Sequence, residues 1–158
     1  MELSQLNNYP LIAVFGGRKA ELNTLEEAYN FGKLAAKNNW IILCGGKGGV
    51  MESVCKGVFE SNGLSIGILT GNDKKSANPF VSIPLATGVG VSRNQIIARA
   101  CDCAIAIGGH YGTLSEIAYV RQMNKKIISL NSWDIKGMKK AKNHKEAIGI
   151  IKKWLSKK

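Results

Sequence analysis

Six short apolar runs, each leading through a glycine or polar turn into a helical stretch, set the tightest limit on how this chain can fold. The runs are Leu11–Phe15, Trp40–Cys44, Leu64–Leu69, Phe80–Leu85, Cys103–Ile107 and Lys126–Leu130. They are rich in β-branched residues and apolar almost throughout, so they do not alternate as a half-exposed strand would. Near-continuous apolar strands belong to parallel sheets covered on both faces. Helical patterns at 21–38, 49–61, 92–101, 113–123 and 143–155 fall between and after them. The first carries Leu22, Leu25, Ala28, Tyr29, Gly32 and Ala36 on one face. Strand–helix alternation predicts a three-layer, doubly wound α/β fold with a mostly parallel sheet of six or seven strands. No Pro- or Ser-rich linker divides residues 1–158, so a single domain is expected. The polar stretch Gly71–Pro79 is the longest expected loop and a candidate lid.

Composition excludes several other classes. With 45% apolar residues and only 3 prolines the chain is not a disordered polymer. Its longest apolar runs fall far short of the roughly 20 residues a membrane-spanning helix needs. The start MELSQLNNYP lacks the basic head and apolar stretch of a secretory signal, and a cytoplasmic setting is expected. The formal charge of +11 invites a nucleic-acid reading, but its distribution weakens it. Residues 121–158 hold 12 Lys+Arg against 2 Asp+Glu, while residues 1–120 hold 10 against 9. The basic tail reads as an amphipathic helix over 143–155, with Ala147, Ile148, Ile151, Trp154 and Leu155 inward and lysines in solvent. Cys44, Cys55, Cys101 and Cys103 lie in or beside apolar runs and have no zinc-like spacing, so they read as buried thiols and no metal site is expected. Cys101 and Cys103 should point to opposite faces of the sheet.

Twelve of the 18 glycines follow the apolar runs. In an open parallel sheet, ligands bind beyond the carboxyl ends of the strands, where helices begin. Glycine there permits close approach, and free N–H groups with the helix dipole favour an anion. The turns at Gly16-Gly17, at Gly45-Gly46-Lys47-Gly48-Gly49 and at Gly108-Gly109-His110-Tyr111-Gly112-Thr113 therefore suggest one phosphate-binding crevice, with Lys47 as a point charge. Neither GxGxxG nor GxxxxGK[ST] is present, so a dinucleotide dehydrogenase and a P-loop ATPase are both poorly supported.

Gly108 through Glu116 resembles the PGGxGTxxE motif of the Lonely guy (LOG) family. Gly45–Val54, Thr87–Asn94 and Ala106–Ile117 together resemble a LOG-like subfamily that includes the molybdenum cofactor carrier protein. The similarity runs from about residue 10 to 131 and implies a Rossmann-like fold that binds a nucleotide or another phosphorylated ligand. Carried over by position, it implies a binding set that adds Thr87, Gly88 and Asn94 to the three glycine turns. It also implies that Arg93 and Glu116 are the residues that serve N-glycosidic hydrolysis in LOG enzymes. In the carrier the same region is thought to hold a phosphorylated pterin. Family members assemble as dimers or larger symmetric oligomers. Gly108 stands where the enzyme motif has proline, and His110 where it has a second glycine, a position at which positive φ would be costly.

Hydrolysis would use Glu116 near the sugar, kept ionised by a paired Arg93. The plainer alternatives stay open. Glu116 could be a helix-start acid, and Arg93 with Glu116 a structural ion pair. Glu52 and His144 read as helix-start residues. Tyr111 could stack on a base or pack between subunits, and Trp133 and Trp154 read as packing groups.

Three functions follow. The first is a carrier or binding protein for a nucleotide monophosphate or molybdopterin-type ligand, requiring no other cofactor. The second is a nucleoside 5′-monophosphate phosphoribohydrolase. The third is nucleic-acid binding, motivated by charge and by a fold resembling the core of DNA-processing protein A, and it is the least supported.

Overall fold

A computed structural model describes residues 2–157. Its single sheet has seven parallel strands: β1 (Leu11–Gly16), β2 (Ile41–Cys44), β3 (Ser65–Leu69), β4 (Ile83–Ala86), β5 (Cys103–Ile107), β6 (Ile127–Leu130) and β7 (Lys139–Ala141). The strand order is β4-β3-β2-β1-β5-β6-β7. The chain thus works outward from β1 to one edge, returns to the centre at β5 and works outward to the other. Five helices complete the α/β fold: α1 (Leu22–Lys37), α2 (Val50–Glu60), α3 (Arg93–Ala100), α4 (Tyr111–Gln122) and α5 (His144–Leu155).

Two apolar cores make the three layers. On one face α1, α2 and α5 cover Ile12, Val14, Ile42, Ile105 and Ile128. On the other, α3 and α4 cover Ala13, Phe15, Leu43, Ala104 and Ile127. Successive strand residues alternate between these cores, which is why the runs are apolar throughout. Cys101 joins the α3/α4 core and Cys103 the opposite one, as expected; the reason is that Cys101 caps α3 and lies outside β5, whereas two residues so spaced within a strand would share a face. All four cysteines are buried, no disulfide joins any of them among the described residues, and the Sγ atoms of Cys44 and Cys55 lie 3.6 Å apart.

Several local expectations change. Leu22 is exposed at the start of α1, and Phe31 and Ala35 take the buried positions instead. The fourth strand begins at Ile83 rather than Phe80, because Phe80–Ser82 turns back to bond Ser65. The stretch Gly71–Pro79 is clasped down. Asn78 donates to the carbonyls of Gly46 and Lys47, and Lys47 Nζ donates to Ser76, so the loop is anchored on the glycine turn.

Both sheet edges discourage extension. β4 carries Pro84, which has no N–H to offer, and β7 carries Lys139 and Lys140.

A candidate anion-binding crevice

The reversal of chain direction places a gap between the carboxyl ends of β1 and β5, the position where doubly wound sheets hold ligands. A crevice of about 300 Å³ opens there, lined by Gly16, Gly17, Arg18, Met51, Thr70, Val91, Arg93, Asn94, His110, Gly112, Thr113 and Glu116. Eight of these residues are in the sequence-derived set; Arg18, Met51, Thr70 and Val91 are not. No motif marks those four, although the strand order alone directs attention to the residue after Gly17.

Arg93 opens α3 and is only 7% exposed. Its Nη1 donates to the carbonyls of Gly45 at 2.7 Å and Ile68 at 2.6 Å, tying the ends of β2 and β3 to α3. A Cβ on Gly45 would stand 2.2 Å from that nitrogen, so residue 45 must be glycine for the clasp to close. Arg93 Nε and Asn94 Oδ1 are buried and have no hydrogen-bond partner among the described residues. Buried polar atoms are rarely left so, and a crevice-lining pair of them is where a ligand's polar groups are wanted.

Glu116 sits one turn beyond Thr113 on the same face of α4 and is 8% exposed. Among the described residues no ion pair joins it to Arg93. The expectation of a direct Arg93–Glu116 pair that keeps the acid charged is therefore corrected. Burial dominates and raises Glu116 to about 7, with the Arg93 charge opposing only in part. Burial in turn lowers Arg93, the Glu116 charge opposes this in part, and Arg18 adds a smaller push downward.

The turn before α4 resolves the His110 question. Gly108 and Gly109 take the left-handed conformations, at φ 58° and 95°, while His110 is extended at φ −121°. The turn therefore needs glycine at the first two positions and tolerates histidine at the third. A Cβ on Gly109 would stand 2.2 Å from Thr113 Oγ1, so that glycine lets Thr113 fold against the turn. The first α4 N–H with a backbone acceptor is that of Leu114, bonded to His110; those of the crevice-lining Gly112 and Thr113 have no acceptor among the described residues.

The remaining predicted residues lie behind or beside this surface. Gly49, at φ 69°, presses against the Gly17–Arg18 turn, and Val50 N–H donates to Gly17 O at 3.0 Å. Gly45, Gly46, Gly48 and Gly49 therefore shape the crevice wall from outside it, and Lys47 faces Ser76 instead. Thr87 Oγ1 donates to Leu69 O and Gly88 N–H to Gly71 O, closing the end of β4. Gly108 accepts from Ser132 Oγ. Tyr111 is 80% exposed and lies with its ring 6.0 Å from that of Trp133, whose Nε1 donates to His110 O. His144 caps into Glu27 through both its N–H and Nδ1, and Trp154 lies beneath Lys126. No cluster of three His, Cys, Asp or Glu able to hold a metal occurs among the described residues.

A seven-stranded parallel sheet with an N–H- and guanidinium-lined gap at its switch point defines a LOG-like Rossmann protein. The chain belongs to the SLOG cluster4 family, whose sequence profile matches residues 9–154. It is similar to the molybdenum cofactor binding protein of the phototrophic bacterium Rippkaea orientalis, at 32% identity and a TM-score of 0.88 over 93% of this chain and 98% of that one. It is also similar to the Moco carrier protein of Chlamydomonas reinhardtii, at 32% identity and a TM-score of 0.87 over 95% and 99%. An uncharacterized protein of Archaeoglobus fulgidus is 38% identical over 138 residues, 87% of this chain and 91% of that protein.

Proposed function

We propose that this protein binds a phosphorylated small molecule of nucleotide-like size in the crevice between β1 and β5 and acts as its carrier. One observation carries the reading. Two guanidinium groups and the open N–H groups of Gly112 and Thr113 meet a single carboxyl, and burial shifts that carboxyl toward its neutral form. Such a surface favours an anion. The phosphate would lie against Gly17, Gly112 and Thr113, and Arg93, Asn94 and Glu116 would meet the polar groups of the rest of the ligand. The cofactor-binding proteins of Rippkaea and Chlamydomonas support a molybdopterin-type ligand over a nucleotide monophosphate. A cytoplasmic homo-oligomer, dimer or tetramer, belongs to the same proposal; no described helix is long and apolar enough to cross a membrane.

Native mass spectrometry of the protein as purified tests this reading. The expected result is a copurified mass of phosphorylated-heterocycle size that is lost when the protein is denatured. An apoprotein that also fails to bind phosphorylated pterins and nucleoside monophosphates would sink it.

The phosphoribohydrolase reading keeps one specific support, since Arg93 and Glu116 do line the same crevice. Incubation with AMP at high protein concentration separates the two. Release of free adenine that Glu116→Gln abolishes favours hydrolysis, whereas binding without release retires it.

A further inference from the structure

We propose that Arg18, and not Arg93, is the arginine that grips the ligand's phosphate, while Arg93 is the clasp that holds the crevice in shape. The inference rests on the anion-binding reading above and divides the labour within it.

Arg93 is in no position to follow a ligand. Its Nη1 is fixed by two backbone carbonyls, those of Gly45 and Ile68, and the side chain lies pressed over Gly45. Turning it outward would break both bonds and leave two carbonyls at the ends of β2 and β3 without a partner. Arg18 differs in each respect. It directly follows Gly16-Gly17 at the end of β1, lines the crevice and is exposed. Its side chain has no hydrogen bond or ion pair with any described residue. Arg18 and Arg93 line the same crevice, where the one carboxyl, Glu116, is shifted by burial toward its neutral form, so an entering anion would meet two cations that this acid only partly offsets. A guanidinium fork matches two phosphate oxygens at once, which an ammonium cannot do.

The backbone beneath Arg18 is firmly set. Gly49 approaches so closely that a Cβ there would lie 2.5 Å from the Arg18 carbonyl oxygen, and Val50 N–H holds Gly17 O. A free side chain on a fixed base suits an anchor that closes on its ligand. Lys47, the cation that the glycine-rich sequence brings forward, is bonded to Ser76 instead.

Titration calorimetry of the full chain with AMP and with adenosine, and with inorganic phosphate as competitor, tests the division. In the wild type AMP should bind more tightly than adenosine, and phosphate should compete. Arg18→Ala should reduce AMP affinity about tenfold to a hundredfold, leave adenosine unchanged and leave the melting temperature unchanged. Arg18→Lys should recover part of the loss. Arg93→Lys should lower the melting temperature while keeping the preference for AMP over adenosine. If Arg18→Ala retains the full preference, or if Arg93→Lys melts normally and loses it, the assignment is overturned. If the wild type binds neither AMP nor phosphate, the same titrations are run with a phosphorylated pterin and its dephosphorylated form; failure there too sinks the anion-binding reading itself, an outcome distinct from failure of the Arg18 assignment.

Discussion

Glu116 is the only carboxyl lining the crevice among the described residues, and its burial decides when it carries charge. Its pKa is raised from an ordinary 4.5 to about 7 in the fold. Below pH 4.5 both the folded and unfolded chains hold this proton, and the site does not penalise folding. As pH rises, the unfolded chain releases the proton first, so stability falls across the window between 4.5 and 7 and then levels off. The loss is on the order of 3 kcal/mol. Glu116→Gln removes this term. Urea unfolding of both proteins at pH 5 and pH 8 should show the variant gaining on the wild type by clearly more at pH 8 than at pH 5, and equal differences at the two pH values would refute the account. At the same scale, the histidine substitution within the glycine motif proves compatible with the turn because the two residues before it take the positive φ values.

The glycine-rich element after β2 shows how a loop can matter without touching a ligand. Gly49 combines φ 69° with a Cβ position 2.2 Å from Gly17 O, so Gly49→Ala should cost on the order of 3 kcal/mol and disturb the β1 turn. Gly48 meets only ordinary contacts, the nearest at 3.7 Å, so Gly48→Ala should be nearly neutral. Thermal melts and phosphate binding of the pair check this; equal effects would discredit the backing role. The contrast also marks what the sequence could reveal. Doubly covered strands declare themselves through unbroken apolar runs, and β1, β2, β3, β5 and β6 were legible that way; the run Phe80–Leu85 also pointed to β4, although that strand starts three residues later and is largely exposed. β7 was not, because Lys139-Lys140-Ala141 has no apolar run and pairs only along the edge of β6. Glycine placement marked the correct end of the sheet but could not separate the turns that face the crevice from those that support it. That separation depends on strand order, which put β5 rather than β2 across the crevice from β1. Arg18 escaped notice for the same reason: a lone arginine after two glycines has no pattern until its neighbours in space are known.

Over the whole molecule, coverage of the sheet is uneven. Ile83 and Leu85 are in register with Ile66 and Ile68, so they face the α3 side. The short α3 does not reach over them, and they stand exposed together with Ile96 and the crevice-lining Val91. Exposed apolar side chains of this kind are where the homo-oligomer proposed above would pack, with Val91 also lining the crevice. Ile96→Lys should then shift the sedimenting species toward monomer, and an unchanged mass would assign assembly to another surface. Pro84 at one rim and the two lysines of β7 at the other give this arrangement a further meaning. One border lacks a donor at Pro84 and the other is guarded by lysine charges, so strand addition from edge to edge is disfavoured. That leaves assembly to other surfaces, and a self-complementary contact there closes about a symmetry axis. A concentrated solution should then hold discrete particles, and filaments seen by electron microscopy would overturn this reading.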